Sequence, residues 1–521
     1  MDMFREKINI LAMWIVKIFG GGIMLFLLFY AMSYTHYMIP LSYEKAEVMK
    51  DNFLLNLVYL LLFIAFLFML NICENRMGQK TKKILSTLLI VLATLWIIVV
   101  GFWWITSVDR KPESDPLYVS SGAYYFTQDL YFSLNPEGGY FAMYSHQLPL
   151  AALMELLFHI LGSFRYSVYQ ALNVLFTGGI TVFGYLMVRE KSKKLCCSVG
   201  YVFTVVNCFP LVLYSSWVYG EIPCLFSTFF AGWTLYKYIK HKKGLWLLGT
   251  VFGLTMATAT RQNAIIIIIA FCLLGIVYVL HKMDMKILVA IFASIICPIL
   301  VYMGVFHMYE IRSGYDHVQG IPASAHIEMG LSESVLGYGA YDNSSVELFS
   351  EVEFDSKKTD AIERERIVED IEQFIANPQY ARVFFREKIL SQWNNPLFQS
   401  MFFTTYYTEK NMPEQGTFVY KISNDYYFGI LQYSNVIQMI IYFGVFLYFV
   451  LAIDKENNVL QHLFAVALIG GFLFSIIWEA KARYMFPYYV MMLPMANIGY
   501  ITLITKVEKI RSNMIANQGV L

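Results

Sequence analysis

Long apolar runs separated by short polar segments recur along most of the chain. Most runs have about 17–25 residues, the length at which an α-helix crosses a bilayer, and none alternates like a strand of a membrane barrel. The pattern predicts about 12 transmembrane helices. The expected crossings are residues 9–34, 52–72, 84–108, 166–188, 197–214, 223–240, 245–258, 264–280, 287–308, 434–451, 460–477 and 485–504. The expected fold class is therefore an all-α polytopic membrane protein.

Composition favours the same class. The chain has 521 residues, of which 58% are hydrophobic and 15% charged, and its mean hydropathy is +0.52. A soluble globular chain of this length does not need so much apolar surface. The formal net charge of +1 gives no basis for a nucleic-acid partner. All seven Cys lie in or beside apolar runs, so external disulfides are not expected.

Clusters of Lys and Arg set the expected orientation, because such clusters stay in the cytoplasm. The clusters are residues 5–7, 76–83, 189–194 and 506–513. We therefore expect cytoplasmic N- and C-termini, a membrane domain over residues 1–505 and a cytoplasmic tail over 506–521. Two loops then lie outside, at residues 108–165 and 309–431. The first apolar run has no cleavage site behind it and is expected to remain as an anchor.

The apolar run Leu148–Leu161 is the exception to the crossing pattern. If this run and residues 166–188 both crossed, the basic cluster at 189–194 would lie outside. The run is short and is closed by Gly162. We expect it to form a helix that rests against the outer interface without crossing.

Charged residues in the short polar turns are the strongest chemical signal. Charges at membrane depth are costly and usually mark function, and several turns are expected to bring theirs to one outer face. These candidates are Asp109, Asp115, Glu221, Arg261, Glu479, Lys481 and Arg483. Simpler roles stay open: Glu221 could hold its turn, Arg483 could anchor the interface, and Asp115 could cap a helix over 117–126. No spacing indicates a metal or nucleotide site, so we expect neither metal nor cofactor.

Several short motifs resemble one known family. Residues 114–123 read S-D-x-x-Y-x-x-x-x-A, residues 139–149 read G-Y-F-x-x-Y-x-x-Q-L-P, and residues 478–488 read W-E-A-K-A-R-Y-x-x-P-Y. Together with Y-G-E-I-P at 219–223, they resemble membrane glycosyltransferases of the GT-C superfamily. Bacterial relatives of the protein O-mannosyltransferases and of the lipid A aminoarabinose transferase are the most similar. The chain departs from the mannosyltransferases in two extra N-terminal spans and in Pro116, which replaces the second acid of an Asp-Glu pair.

The resemblance implies a GT-C-like bundle with juxtamembrane helices in the first outer loop. It also implies transfer of one sugar from a polyprenyl-phosphate donor to a hydroxyl of a cell-envelope glycan or protein, outside a bacterial plasma membrane. Asp115 would be the general base, with Asp109 as the alternative, and Glu221 would orient the acceptor or share this work. Arg483 and Arg261 would bind the donor phosphate, with Lys481 as a weaker third. The expected sugar or acceptor contacts are Tyr118, Tyr140, His146, Gln147, Trp393, Glu479 and Tyr484.

Other classes of function remain open at this stage. A lipid-linked glycan polymerase or ligase also has a large outer loop, and only its diphosphate donor would distinguish it. A flippase or transporter is less favoured, because the charges crowd one end of the bundle instead of following a path through the membrane. A non-catalytic assembly protein would lack any activity on lipid-linked sugars.

Overall fold

The computed structural model describes residues 2–40, 44–316, 319–405, 414–454 and 458–518. This part of the chain consists of 22 α-helices and two short antiparallel hairpins. The first helices are α1 Asp2–Ser33, α2 Phe53–Glu74, α3 Gln79–Val108, α4 Asp115–Phe126, α5 Tyr140–Met143, α6 Leu148–Leu161, α7 Tyr166–Lys191, α8 Leu195–Val206, α9 Phe209–Leu213, α10 Glu221–His241 and α11 Gly244–Thr260. The others are α12 Ile265–Lys282, α13 Met285–Ser313, α14 Ala323–Leu331, α15 Ser344–Glu351, α16 Ser356–Ala376, α17 Pro378–Trp393, α18 Ser400–Thr405, α19 Phe418–Ser423, α20 Tyr427–Leu447, α21 Leu463–Ile477 and α22 Ala482–Gln518.

The helices define an all-α polytopic membrane protein, as the apolar pattern predicts. Within the described ranges, nine helices are long and apolar enough to cross a membrane, and α8 with α9, bent by 56°, would make a tenth. These nine are α1, α2, α3, α7, α12, α13, α20, α21 and α22. The other two expected crossings fall on α10 and on the 17-residue α11. The count of about 12 stays a prediction.

α22 is the central helix of the bundle. In its most apolar stretch of 18 residues, 72% of the residues are buried inside the protein, whereas in that of α2 only 22% are. α2 therefore presents most of its surface to lipid. α22 packs against α20, α21 and α8. A Cβ on Gly499 would lie 2.0 Å from the carbonyl oxygen of Gly444, so α20 and α22 need glycine to approach this closely. α22 also continues unbroken past residue 505, where we placed the start of the tail.

The helices of the first polar loop lie near their predicted positions. α6 has the predicted bounds and ends at Gly162, whose φ of 65° is left-handed. It packs against α4 and α13; its expected position outside the membrane core stays a prediction. α4 begins at Asp115, two residues earlier than expected, and Ser114 is its cap residue. Asp115 therefore lies in the first turn and does not cap the helix.

The long polar segment is more structured than its sequence indicates. Residues 356–393 form two helices, because Pro378 cannot continue α16 and the Asn377 side chain caps α17. α17 packs against α21 and α22.

Two β-hairpins were not predicted from the sequence. β1 (Tyr34–Tyr37) pairs with β2 (Glu47–Lys50) between α1 and α2, and β3 (Glu333–Ser334) pairs with β4 (Gly337–Tyr338) in the long segment. The first hairpin contacts α17, where the backbone N–H of His36 donates to the carbonyl of Asn394 at 3.0 Å. The long segment is thus fastened to the bundle.

Candidate active site

Three turns converge on one buried carboxylate. Glu221 begins α10, Arg261 lies between α11 and α12, and Arg483 lies in the first turn of α22. Arg261 Nη1 and Arg483 Nε lie 3.3 Å and 3.6 Å from the same oxygen, Oε1 of Glu221. A Cβ on Gly220 would lie 2.0 Å from the carbonyl oxygen of Thr260, so this approach of two turns requires glycine. The distances show that these three turns meet, whereas their position at an outer face stays a prediction.

The charges of this cluster are buried but incompletely hydrogen-bonded. Glu221 is 1% exposed, and neither of its carboxylate oxygens accepts a hydrogen bond. The buried Nε of Arg483 also has no hydrogen-bond partner. The rings of Tyr219 and Tyr484 each lie within 6 Å of both guanidinium groups. Two guanidinium groups around one carboxylate leave a net positive charge and free donors, which suits an anion.

A second ion pair adjoins the first. Lys481 Nζ lies 3.1 Å from Glu479 Oε1, and the Tyr484 hydroxyl donates to Glu479 Oε2 at 3.1 Å. Burial alone would raise the pKa of Glu479, but Lys481 and His326 outweigh it and hold that pKa below its usual value. Burial would likewise lower the pKa of Lys481, and the carboxylates of Glu44 and Glu479 raise it instead. Both members of the pair are therefore charged.

Asp115 faces this cluster from α4. Its Oδ1 accepts a hydrogen bond from the Tyr140 hydroxyl at 3.2 Å, and Tyr118 stacks on Tyr140 with ring centroids 5.1 Å apart. Burial raises the pKa of Tyr219, and the Asp115 charge is the next cause. Burial, Tyr341 and Asp115 raise the pKa of Tyr144 in the same way. The Asp115 carboxylate is therefore close to Tyr144 and to Tyr219, whose ring lies beside both guanidinium groups.

Asp109 occupies a different position. It is exposed and caps the C-terminal end of α3 in a left-handed conformation, with φ of 43°. No described contact joins it to the cluster of Glu221, Arg261 and Arg483. Of the two alternative bases, the one beside the cluster is Asp115.

His146 and Gln147 lie at the edge of the cluster. A hydrogen bond of 2.9 Å joins His146 Nε2 to the Gln147 amide. Burial, with His326 and Arg261 nearby, lowers the pKa of His146 to about 3. Burial therefore favours the neutral imidazole, which can donate one hydrogen bond and accept another.

Trp393 lies in the interior of the bundle, away from the cluster of Glu221, Arg261 and Arg483. Its side chain is 0% exposed, its Nε1 donates to Ser475 Oγ at 2.9 Å, and its ring packs near Phe472 and Tyr488. A ring enclosed in this way has no face for a sugar. The stacking role expected for Trp393 does not fit this structure.

The sequence missed the contribution of the long polar segment to the site. His326 of α14 stacks on Trp478 and places Nδ1 3.9 Å from Glu479 Oε2. Tyr341 lies under Lys481, with 4.8 Å from Nζ to the ring centroid. No periodicity or spacing in this stretch of the sequence indicated these contacts. In the described part of the chain, no group of three or more His, Cys, Asp or Glu could hold a metal ion.

The fold defines a multi-pass membrane protein with a charged, aromatic site at one end of its bundle. A comparison with protein-family models finds no match, and neither does a comparison with curated proteins.

Proposed function

We propose that the protein is an inverting glycosyltransferase with a GT-C-like bundle, which moves one sugar from a polyprenyl-phosphate donor to a hydroxyl of a cell-envelope glycan or protein. The observation that carries the proposal is the buried cluster of Glu221, Arg261 and Arg483, which keeps unused hydrogen-bonding capacity beside Asp115. The site works at the outer face of a bacterial plasma membrane, with both chain termini in the cytoplasm.

In this reaction, Arg483 and Arg261 bind the donor phosphate. A guanidinium group pairs with phosphate through two parallel hydrogen bonds, which an ammonium group cannot do. Lys481 adds a third positive charge at the same end of the bundle. The polyprenyl chain lies along the apolar helices. As the bond between sugar C1 and the phosphate oxygen breaks, the electron pair goes to the phosphate, and the fixed cations stabilise the new charge.

Asp115 is the general base. It removes the proton from the acceptor hydroxyl while that oxygen attacks C1 on the side opposite the phosphate, so the anomeric carbon inverts. A positioned base of this kind contributes about 10²–10⁴-fold to the rate. Burial, Tyr219 and Asp115 raise the pKa of Tyr140, which keeps the phenol protonated as a donor to the carboxylate. Glu221 is the counter-charge that both arginines share, and it orients the acceptor or shares the work of the base.

The remaining polar groups surround the sugar. Tyr118 is 55% exposed and stacks on Tyr140, so these two rings offer an aromatic surface beside the base. The other proposed contacts are Glu479, Tyr484, His146 and Gln147.

The test uses the purified full chain in proteoliposomes with a panel of polyprenyl-monophosphate hexoses. We expect release of polyprenyl phosphate that depends on the chain, and an inverted anomeric configuration in the product. A parallel arm offers an oligosaccharide on polyprenyl diphosphate. Turnover of the diphosphate donor alone would identify a polymerase or ligase instead, and turnover of neither class would reject the proposal.

A further inference from the structure

A polar cavity adjoins the site, and of its lining residues the proposed reaction uses only Lys481. Its volume is about 220 Å³. Five parts of the chain form its walls: the β1–β2 hairpin, the β3–β4 hairpin with the residues behind it, α17, Gln399 just before α18, and the turn before α22. Lys481 and Tyr341 belong both to this cavity and to the group around Glu479.

The cavity is also joined to the arginine cluster through Gln399. Its Oε1 accepts a hydrogen bond from the backbone N–H of Arg483 at 2.9 Å, and its amide donates to Glu44 at 3.4 Å. Glu44 Oε1 in turn lies 3.9 Å from Lys481 Nζ. A ligand in the cavity would therefore lie next to the groups that bind the donor phosphate.

The charges lining the cavity balance one another. Two carboxylates, of Glu44 and Glu387, and two ammonium groups, of Lys45 and Lys481, line it. A phosphate or carboxylate ligand needs an excess of cations, as at Arg261 and Arg483, and this cavity has none. An uncharged ligand suits it better.

The hydrogen-bonding groups in the walls indicate a ligand rich in hydroxyls. His36 is 4% exposed, and its Nε2 lacks a hydrogen-bond partner, with Glu387 Oε2 3.7 Å away. Carboxylates, an imidazole and an amide bind hydroxyl groups, and the ring of Tyr341 can cover an apolar sugar face. The volume lies below the about 300–1,000 Å³ of sites for drug-sized ligands, so one sugar residue fits and an oligosaccharide does not.

We infer that this cavity binds one uncharged sugar residue of the acceptor glycan. The identification of this sugar as part of the acceptor rests on the proposed function, whereas the binding of a sugar in the cavity does not. The cavity holds the acceptor chain beside the site while the hydroxyl to be modified reaches toward Asp115.

The test is protection of a thiol from chemical labelling in detergent. Ser391 lines the cavity, so Ser391→Cys, made together with Cys73→Ser to remove an exposed native thiol, reports on its occupancy. Ala340→Cys gives a second reporter from another wall. Neutral methyl hexosides and methyl N-acetylhexosaminides at millimolar concentration should slow labelling at least about threefold for one member of the panel. Ser350→Cys, exposed and outside the cavity, should be unaffected.

Two further arms decide the interpretation. Adding Glu387→Gln to the Ser391→Cys chain should raise the glycoside concentration that gives half-maximal protection by about tenfold, the effect of losing one hydrogen bond to a charged group. Methyl glycosides of uronic acids should protect less than the neutral ones. The inference is wrong if neither reporter is protected by any neutral glycoside, or if the uronic acids protect better. Because protection needs no turnover, a chain that protects but never releases polyprenyl phosphate would reject the proposed function alone.

Discussion

Glu190, on α7 beside the C-terminal end of α10, and Glu221, at the N-terminal end of α10, each contact two basic side chains. The two glutamates differ in how many of their oxygens accept hydrogen bonds. Glu190 places Oε1 2.8 Å from Lys237 and Oε2 2.7 Å from Lys240, and its side chain is 20% exposed. Glu221 meets Arg261 and Arg483 at 3.3 Å and 3.6 Å, through one oxygen, and is 1% exposed.

This difference distinguishes a structural ion pair from a proposed binding site. At Glu190 each oxygen accepts a hydrogen bond from its own lysine, and these bonds join α7 to α10. At Glu221 the charges are buried, and their hydrogen-bonding groups are left without partners. Buried polar groups normally find partners, so a native site that leaves several of them unpaired calls for an explanation. Under the proposed function, the donor and the acceptor supply the missing hydrogen bonds.

The largest effect on stability is expected from Glu221→Gln. The change leaves two buried guanidinium groups facing each other without a carboxylate, which should destabilise the chain by about 3–5 kcal/mol. The loss would appear as a lower midpoint of thermal unfolding in detergent and a smaller folded yield. A stability equal to the wild type would mean that Glu221 is not the counter-charge of this cluster.

Arg483→Lys tests the anion site at constant charge. The ammonium group cannot form two parallel hydrogen bonds to phosphate, so release of polyprenyl phosphate should fall about 10²-fold, the lower end of the cost of removing one such donor. Lys240→Arg, at the other end of α10, is the matched control and should leave the rate unchanged. Equal rates in both variants would remove Arg483 from the phosphate site.

A third buried acid, Glu328 of α14, should make the stability of the folded chain depend on pH. Burial, followed by Glu363 and Asp370, raises the pKa of Glu328 from 4.5 to about 7, and one oxygen of Glu328 lacks a hydrogen bond. The folded chain therefore holds this proton more tightly than the unfolded one. The resulting stability is fully present below about pH 4.5 and is lost as the pH rises through about 7.

This linkage can be measured by hydrogen exchange in α14 at pH 5 and pH 8, corrected for the intrinsic exchange rate. Protection should fall by on the order of 2 kcal/mol between the two values in the wild type, and by much less in Glu328→Gln. The same pH dependence in both chains would show that another group titrates.

The smallest effect is expected from Glu190→Gln. Glu190 and its two partners, Lys237 and Lys240, are partly exposed, and exposed pairs contribute about 0–1 kcal/mol. Thermal unfolding should shift only slightly, and transfer should continue at the wild-type rate. A loss as large as that of Glu221→Gln would erase the distinction between the two glutamates.

Hydropathy and charge predicted the bundle and the turns well, because crossing a membrane constrains length and apolarity strongly. Glu221, Arg261 and Arg483 stood out as charges in very short turns, where few positions are available. The bounds of α6 followed from the same kind of reasoning, since Leu148–Leu161 is limited by a proline-containing start and by Gly162.

Contacts of the long polar segment could not be predicted in this way. His326 and Tyr341 reach the site only because α14 and the chain behind it dock on the bundle, and no periodicity encodes that docking. Trp393 was misjudged because its segment looks polar; in the folded chain α17 turns this ring toward α21 and α22. The break at Asn377–Pro378 was readable from the sequence, since proline ends a helix that precedes it.

The most direct measurement compares Asp115→Asn and Asp109→Asn in the release of polyprenyl phosphate from a polyprenyl-monophosphate hexose, with both variants inserted in proteoliposomes to the wild-type level. Asp115 lies beside the arginine cluster and Asp109 is exposed at the end of α3. We predict that Asp115→Asn lowers the rate by about 10²–10⁴-fold and that Asp109→Asn stays close to the wild type. Wild-type turnover by Asp115→Asn would contradict the account.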